Sequence, residues 1–275
     1  MTGALVVVAT PIGNLADLSP RAVTELAAAD IVACEDTRHT GRLLAHAGVK
    51  ATRLLAVHEH NEAQRAAELV DVIAAGGTVA VVTDAGTPGI SDPGTRLVAA
   101  AAAAGHDVRV VPGPAAFVAA LVVSGLPTDR FVFEGFLPRK GAERARVLSD
   151  IAAERRTIVF YESPRRVAAT VAELRRHLGP DRRVALAREL TKLHEEVWRG
   201  TLGEAVDHVA ESTARGEYVV VLDGAPEPMA ATDTDIVEAL ADLRSGGVGT
   251  RDAAAQVAAD LGVSRRRAYE LAIRE

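Results

Sequence analysis

The sequence predicts an α/β protein made of two α/β domains and a small C-terminal helical segment. Short apolar runs alternate with amphipathic stretches along most of the chain, the pattern of strand–helix units around a largely parallel sheet. The length of 275 residues suits about two domains at roughly 150 residues each. The stretch 224–235 breaks the alternation with prolines and small polar residues, as a linker does. The expected boundaries are 1–114, 115–224 and 225–275.

Leu5–Ala9 reads as the first strand. Ser19 and Pro20 supply an N-cap and a first-turn proline for a helix to about Ala29. Ile31–Cys34 and Leu54–Val57 are short strands around a helix through Arg42–Leu44, and Glu62–Ala75 is a helix stopped by Gly76 and Gly77. Strand Val79–Thr83, helix Arg96–Ala104 and strand Val108–Val111 complete the first unit. The second unit reads as helix Ala115–Val123, strand Phe131–Phe136, helix Glu143–Ala153, strand Thr157–Tyr161 and helix Pro164–His177. Strands Arg183–Ala187, Glu196–Gly200 and Tyr218–Leu222 follow, with a helix near Glu204–Glu211, so more antiparallel pairing is expected here. Three short helices, Ile236–Arg244, Arg251–Leu261 and Arg265–Arg274, close the chain, with Thr250 and Ser264 as N-caps.

Composition excludes several classes. The apolar runs Ala115–Val123 and Leu97–Ala104 fall far short of the ~18–20 residues of a membrane span. No basic region precedes Ala4–Ala9, so it is read as a strand and not a signal peptide. A single cysteine, Cys34, excludes an internal disulfide framework, and a cytoplasmic protein is expected. The histidines show no metal-ligand spacing, so no metal is expected. A net charge of −6 argues against a basic coat but leaves room for a local patch. Aromatic residues are 3%, which disfavours binding of single strands by serial base stacking.

In open α/β sheets ligands sit at the carboxyl ends of strands. Three such ends here are rich in glycine and proline: Thr10–Asn14, Asp84–Gly94 and Pro112–Pro114. No glycine-rich nucleotide fingerprint follows the first strand, so an ATPase or dinucleotide-dependent oxidoreductase is disfavoured. Arg139, Lys140, Arg144 and Arg146 cluster after the Gly-Phe-Leu-Pro turn, and Arg165 and Arg166 open a helix. Both groups suit RNA phosphates, or simply solvated helix faces. Leu261–Tyr269 reads as the turn and second helix of a helix-turn-helix, with Arg265, Arg266 and Arg267 where phosphates dock, or as a structural cap.

Val8–Asp17, Glu35–Arg38, Asp84–Gly94, Val111–Pro114, Glu134–Pro138, Phe160–Arg166 and Arg188–Lys192, in that order, resemble the tetrapyrrole-methylase superfamily of S-adenosylmethionine enzymes. Within it the chain is most similar to a bacterial subfamily that methylates the ribose 2′ oxygen of a cytidine in the 16S rRNA decoding centre. The likeness covers about Leu5–Leu222; Gly89 departs from it, where a bulkier apolar residue is expected. The resemblance implies a cofactor cleft between the two α/β domains, a homodimer, and 16S rRNA or the small ribosomal subunit as partner. It places cofactor contacts on Pro11, Asp84, Ala85, Gly86, Thr87, Ser91, Asp92, Pro93, Pro112, Gly113, Pro114, Phe136, Tyr161 and Leu190. A ribose hydroxyl is a poor nucleophile, so a base would help. Glu35, Asp36, Glu162 and Glu189, all at strand ends, are the candidates; each can also be a cap or an ion-pair partner. A tetrapyrrole methylase and a ligand-sensing DNA-binding regulator are the competing readings. The appended helices and the Arg139–Arg146 cluster argue against the former, and the mixed charge of 224–275, with an acidic first helix, against the latter.

Overall fold

The computed structural model describes residues 3–58, 60–211, 215–227 and 231–274; part of the expected linker, 228–230, lies outside them. The chain divides into two compact units, Met1–Ala225 and Pro226–Glu275, and the first holds both sheets.

The first sheet contains β1 (Ala4–Val8), β2 (Ile31–Cys34), β3 (Leu54–Ala56), β4 (Thr78–Val81) and β5 (Asp107–Val111). Their order is β3-β2-β4-β1-β5, and every pairing is parallel. Parallel neighbours need crossovers. Helices α1 (Pro20–Ala28), α2 (Thr37–His46), α3 (Glu62–Ala74) and α4 (Thr95–Ala103) lie between the strands in sequence. Ser19 caps α1 by accepting from the Ala22 amide. Leu26 and Leu44, from α1 and α2, pack with Val6, Val8 and Val32 on one face. Leu69, Ile73 and Leu97, from α3 and α4, pack with Leu5, Ile31 and Val79 on the other. Burial on both faces explains why β1, β2 and the end of β4 are continuous apolar runs. A short 3₁₀ turn at Leu15–Asp17, capped by Asn14, adds to the sequence-based expectation.

The second sheet contains β6 (Phe131–Phe136), β7 (Thr157–Glu162), β8 (Arg183–Arg188), β9 (Glu196–Thr201) and β10 (Tyr218–Leu222), in the order β6-β7-β10-β8-β9. Only β6 and β7 pair in parallel; the other pairings are antiparallel. Helices α6 (Gly141–Ala153), α7 (Val167–Leu178) and α8 (Leu202–Glu211) cover one face around Phe160, Leu186 and Val220. On the other face α5 (Ala116–Val123) packs Leu121 against Val159 and Val221.

The second unit has its own core of Ile236, Leu240, Val257 and Ala268, built by α9 (Asp233–Ser245), α10 (Thr250–Asp260) and α11 (Arg265–Ala272). Thr232 and Asp235 form a capping box on α9, and Ser264 caps α11. Thr250 is not a cap: the extended residue before α10 is Gly249, and Thr250 starts the helix. Arg266 pairs with Glu270 and Arg267 with Asp233, so two of the three arginines of α11 are already neutralised. Among the described residues, no helix is long and apolar enough to cross a membrane, and no group of three or more His, Cys, Asp or Glu could hold a metal ion.

Candidate functional site

β1 and β4 are neighbours, yet the chain leaves them in opposite directions, from β1 to β2 and from β4 to β5. Crevices form at such switch points. The loops after these strands meet there: Thr10 and Gly86 exchange backbone hydrogen bonds of 2.8 and 3.2 Å. Thr87 then donates to the Pro114 carbonyl at 3.1 Å, tying in the loop after β5.

A cleft of about 530 Å³ opens between these loops and the bare face of the second sheet. Ile12, Glu35, Asp84–Thr87, Ile90–Asp92, Ala115 and Ala116 line one side. Tyr161–Pro164, Ala187, Glu189, Leu190, Lys192 and Glu217–Val219 line the other, with Phe136. A register shift in β6 between Phe133 and Phe136 re-aims Phe136, whose ring lies 5.4 Å from that of Tyr161. Of the expected cofactor residues, Asp84, Ala85, Gly86, Thr87, Ser91, Asp92, Phe136, Tyr161 and Leu190 line this cleft. Pro11, Pro93, Pro112, Gly113 and Pro114 lie outside its lining and shape the loops behind it. Gly89 has φ +82°, so the glycine that departs from the family pattern suits this backbone better than a bulky residue would.

The candidate bases separate. Asp36 caps α2 and pairs with Arg38 at 3.0 Å; those hydrogen bonds hold its carboxyl at about 2, and it does not line the cleft. Glu162 lines the cleft, but its buried carboxylate accepts from Arg166, from the Thr170 hydroxyl at 2.7 Å and from the Ser163 amide at 2.8 Å. Glu189 accepts from Lys192 at 2.8 Å and from the Glu217 amide at 3.1 Å, and the lysine holds its carboxyl below the ordinary range. Glu35 makes no ion pair among the described residues. Burial pushes its carboxyl up, and the charges of Asp92 and Asp84 push the same way. Asp92 is raised by burial too, with Asp84 and Glu217 adding to it.

The basic residues divide likewise. Arg139, Lys140, Arg146 and Arg165 are exposed. Arg144 and Arg166 are corrected from RNA contacts to parts of the fold. The Arg144 guanidinium is buried against Glu173, the Pro138 carbonyl and Thr170; Arg166 forks onto Glu162 and reaches the Leu137 carbonyl.

Glu62 was not singled out by sequence. It sits in the first turn of α3, yet its buried carboxylate accepts from the Gly94 and Arg96 amides at 2.9 and 3.0 Å, capping α4 from outside. Gly94 has no side chain to do so. The contact anchors the end of the loop whose Ile90–Asp92 line the cleft. An acidic residue some thirty positions before an uncapped helix is too weak a sequence signal to find. Glu62→Ala is expected to weaken cofactor binding about tenfold, and Glu62→Gln, which keeps the acceptor, to recover most of it. Titration calorimetry checks this; equal loss in both variants would point to the charge and not the cap.

The model of the tetrapyrrole (corrin/porphyrin) methylases matches residues 4–206. The chain belongs to that family. Among relatives of this methylase, the ribosomal RNA small subunit methyltransferase I of Synechocystis sp. is 46% identical, over 98% of each chain. The protein of that name from Mycobacterium tuberculosis is 45% identical, over 98% of this chain and 94% of its own. The fold is shared with uroporphyrin-III C-methyltransferase from Thermus thermophilus, solved with S-adenosyl homocysteine. The TM-score is 0.55 at 21% identity, covering 80% of this chain and 96% of that one. The cleft of this methylase fits a sulfonium nucleoside. Ile12, Ile90, Leu190 and Val219 offer apolar walls, while Glu35, Asp84 and Asp92 gather negative charge suited to a cation.

Proposed function

We propose that the protein transfers a methyl group to the ribose 2′ oxygen of a cytidine in 16S rRNA. The cofactor is S-adenosylmethionine, in keeping with the methylase family and with the relatives named above. When bound, it supplies an electrophilic methyl on a positively charged sulfur. The observation that carries the RNA reading is the near full-length identity to rRNA methyltransferases from distant bacteria. The exposed Arg139, Lys140, Arg146 and Arg165 support it, because a macrocycle has no need of them.

The Asp84–Thr87 and Ile90–Asp92 segments hold the cofactor from one side, and Tyr161 and Leu190 from the other. In-line transfer depends on holding the hydroxyl about 3–3.5 Å from the methyl, so positioning supplies much of the rate. Of the four candidate carboxylates, Glu35 alone lines the cleft free of an ion pair and with raised proton affinity. It is the group suited to take the hydroxyl proton. Helix α5 is apolar on every side and leaves Val118, Val122 and Val123 exposed, as does the edge strand β5 with Val110. A helix apolar all round is normally covered, which supports a homodimer; mass by light scattering tests it.

Incubation with methyl-labelled cofactor and small ribosomal subunits, free rRNA or a tetrapyrrole mixture tests the function. Label on RNA, with one position newly resistant to alkaline cleavage, is the expected result. Label on a base, or on the macrocycle, would overturn it.

The acidic pocket also predicts a pH dependence. Glu35 and Asp92 bind protons above the ordinary carboxylate range in the free protein, and a bound sulfonium favours their ionised forms. Affinity for S-adenosylmethionine is therefore expected to be full at neutral pH and to fall as pH drops through those raised values. The uncharged product S-adenosyl homocysteine should lose much less. Parallel slopes for the two ligands would show that these carboxylates do not read the charge.

A further inference from the structure

A second cavity of about 410 Å³ lies in the groove between α6 and α7. That volume is in the range of small-ligand sites, about 300–1,000 Å³. Arg139, Lys140, Arg144, Arg166 and His177 line it, and Glu173 is its one carboxylate. Arg144 takes that carboxylate at 2.6 Å. So much positive charge in one groove, on a chain of net charge −6, is local and not compositional.

The arginines play two parts. Arg144 and Arg166 are held from behind by the Leu137 and Pro138 carbonyls, Thr170, Glu162 and Glu173. Their guanidinium groups make a fixed positive floor that needs no reorganisation when an anion arrives. Arg139 and Lys140 are exposed at the rim and able to close on a ligand. The groove is also close to the chemistry. Phe136 and Glu162–Pro164 line the cofactor cleft, while Arg139 and Arg166, a few residues on in the same two loops, line the groove. An anion seated here is thus a short step from the methyl-transfer site.

We propose that this groove seats one phosphate-bearing nucleotide of the RNA strand whose target ribose enters the cleft. Its phosphate lies on Arg139 and Lys140 above the Arg144–Arg166 floor, with Leu148 and Ala169 as apolar walls. Phosphate oxygens accept the paired N–H groups of arginine in planar geometry, which a diffuse surface charge does not offer. The inference rests on the RNA-methyltransferase reading, and its test separates the two.

The test uses the full chain saturated with S-adenosylmethionine and two probes, a short cytidine-containing single-stranded RNA and cytidine 3′,5′-bisphosphate. Arg139→Ala/Lys140→Ala removes the rim charges. Ala169→Phe fills the groove without changing charge, and Arg176→Ala removes an exposed charge on α7 outside the lining. The double variant is expected to bind RNA at least about tenfold more weakly. Its salt slope should flatten by about 1.4 log units for two lost single-strand phosphate contacts. Ala169→Phe should weaken RNA binding as well, Arg176→Ala should change it less than about twofold, and cofactor affinity should hold throughout. Silence of Ala169→Phe, or equal loss from Arg176→Ala, would mean diffuse attraction and overturn the groove. Normal RNA binding in the double variant with lost bisphosphate binding would assign the groove to free nucleotides and also overturn it. If the unmodified protein labels no RNA, the function reading fails, and the bisphosphate arm still reports on the groove.

Discussion

Replacing Gly86 by leucine is expected to abolish S-adenosylmethionine binding while the chain still folds. Gly86 has φ +88°, a conformation that costs an L residue about 1–2 kcal/mol. A Cβ there would stand 3.3 Å from the Ile12 side chain and 3.6 Å from the Pro114 carbonyl. Gly86 is also paired to Thr10 through both of its backbone groups, so the loop cannot shift without breaking the bridge between the two strand ends. A large side chain at this position therefore occupies the cleft. Titration calorimetry should show no binding for Gly86→Leu and about tenfold weakening for Gly86→Ala, with cooperative unfolding retained. Unchanged affinity in the leucine variant would remove the Asp84–Thr87 turn from the cofactor site.

The largest effect on stability is expected at Glu162. Its carboxylate is fully buried and holds the Arg166 fork, the Thr170 hydroxyl and the Ser163 amide. Removing one partner of a buried pair leaves the other uncompensated, at about 3–5 kcal/mol. Arg166 retains some exposure, so Glu162→Ala should cost about 3 kcal/mol, at the low end of that range. Glu162→Gln keeps an acceptor and should cost less. Urea unfolding measures both. An alanine variant of unchanged stability but no activity would show that Glu162 acts on the substrate and not on the fold.

Much of the fold was legible because its local and global signals agree. The alternation of apolar runs with amphipathic stretches reflects a sheet buried on both faces. Ser19 and Ser264 cap the helices their positions announce. The glycine- and proline-rich strand ends at Thr10–Asn14 and Asp84–Gly94 do meet, because they follow the two adjacent strands from which the chain departs in opposite directions. Where local chemistry was ambiguous, reading it went astray: Thr250 looks like a cap, but the extended residue that precedes α10 is Gly249.

The roles of individual charges were not legible. Arg139 and Arg144 belong to one basic run, yet one is exposed and the other is a buried strut against Glu173 on the next helix. Glu35 and Asp36 are neighbours, yet one faces the cleft with its proton affinity raised and the other pairs with Arg38 outside it. Glu62 anchors a loop some thirty residues away. The sequence by itself determined the order of strands and helices, the loops that carry the site and the methylase likeness, since these follow from periodicity, turn chemistry and motif order within a few residues. Only the tertiary structure decided which carboxylates are free to act and which cations are spent. A charge is defined by what lies within about 4 Å of it in space, and packing brings those partners from distant segments.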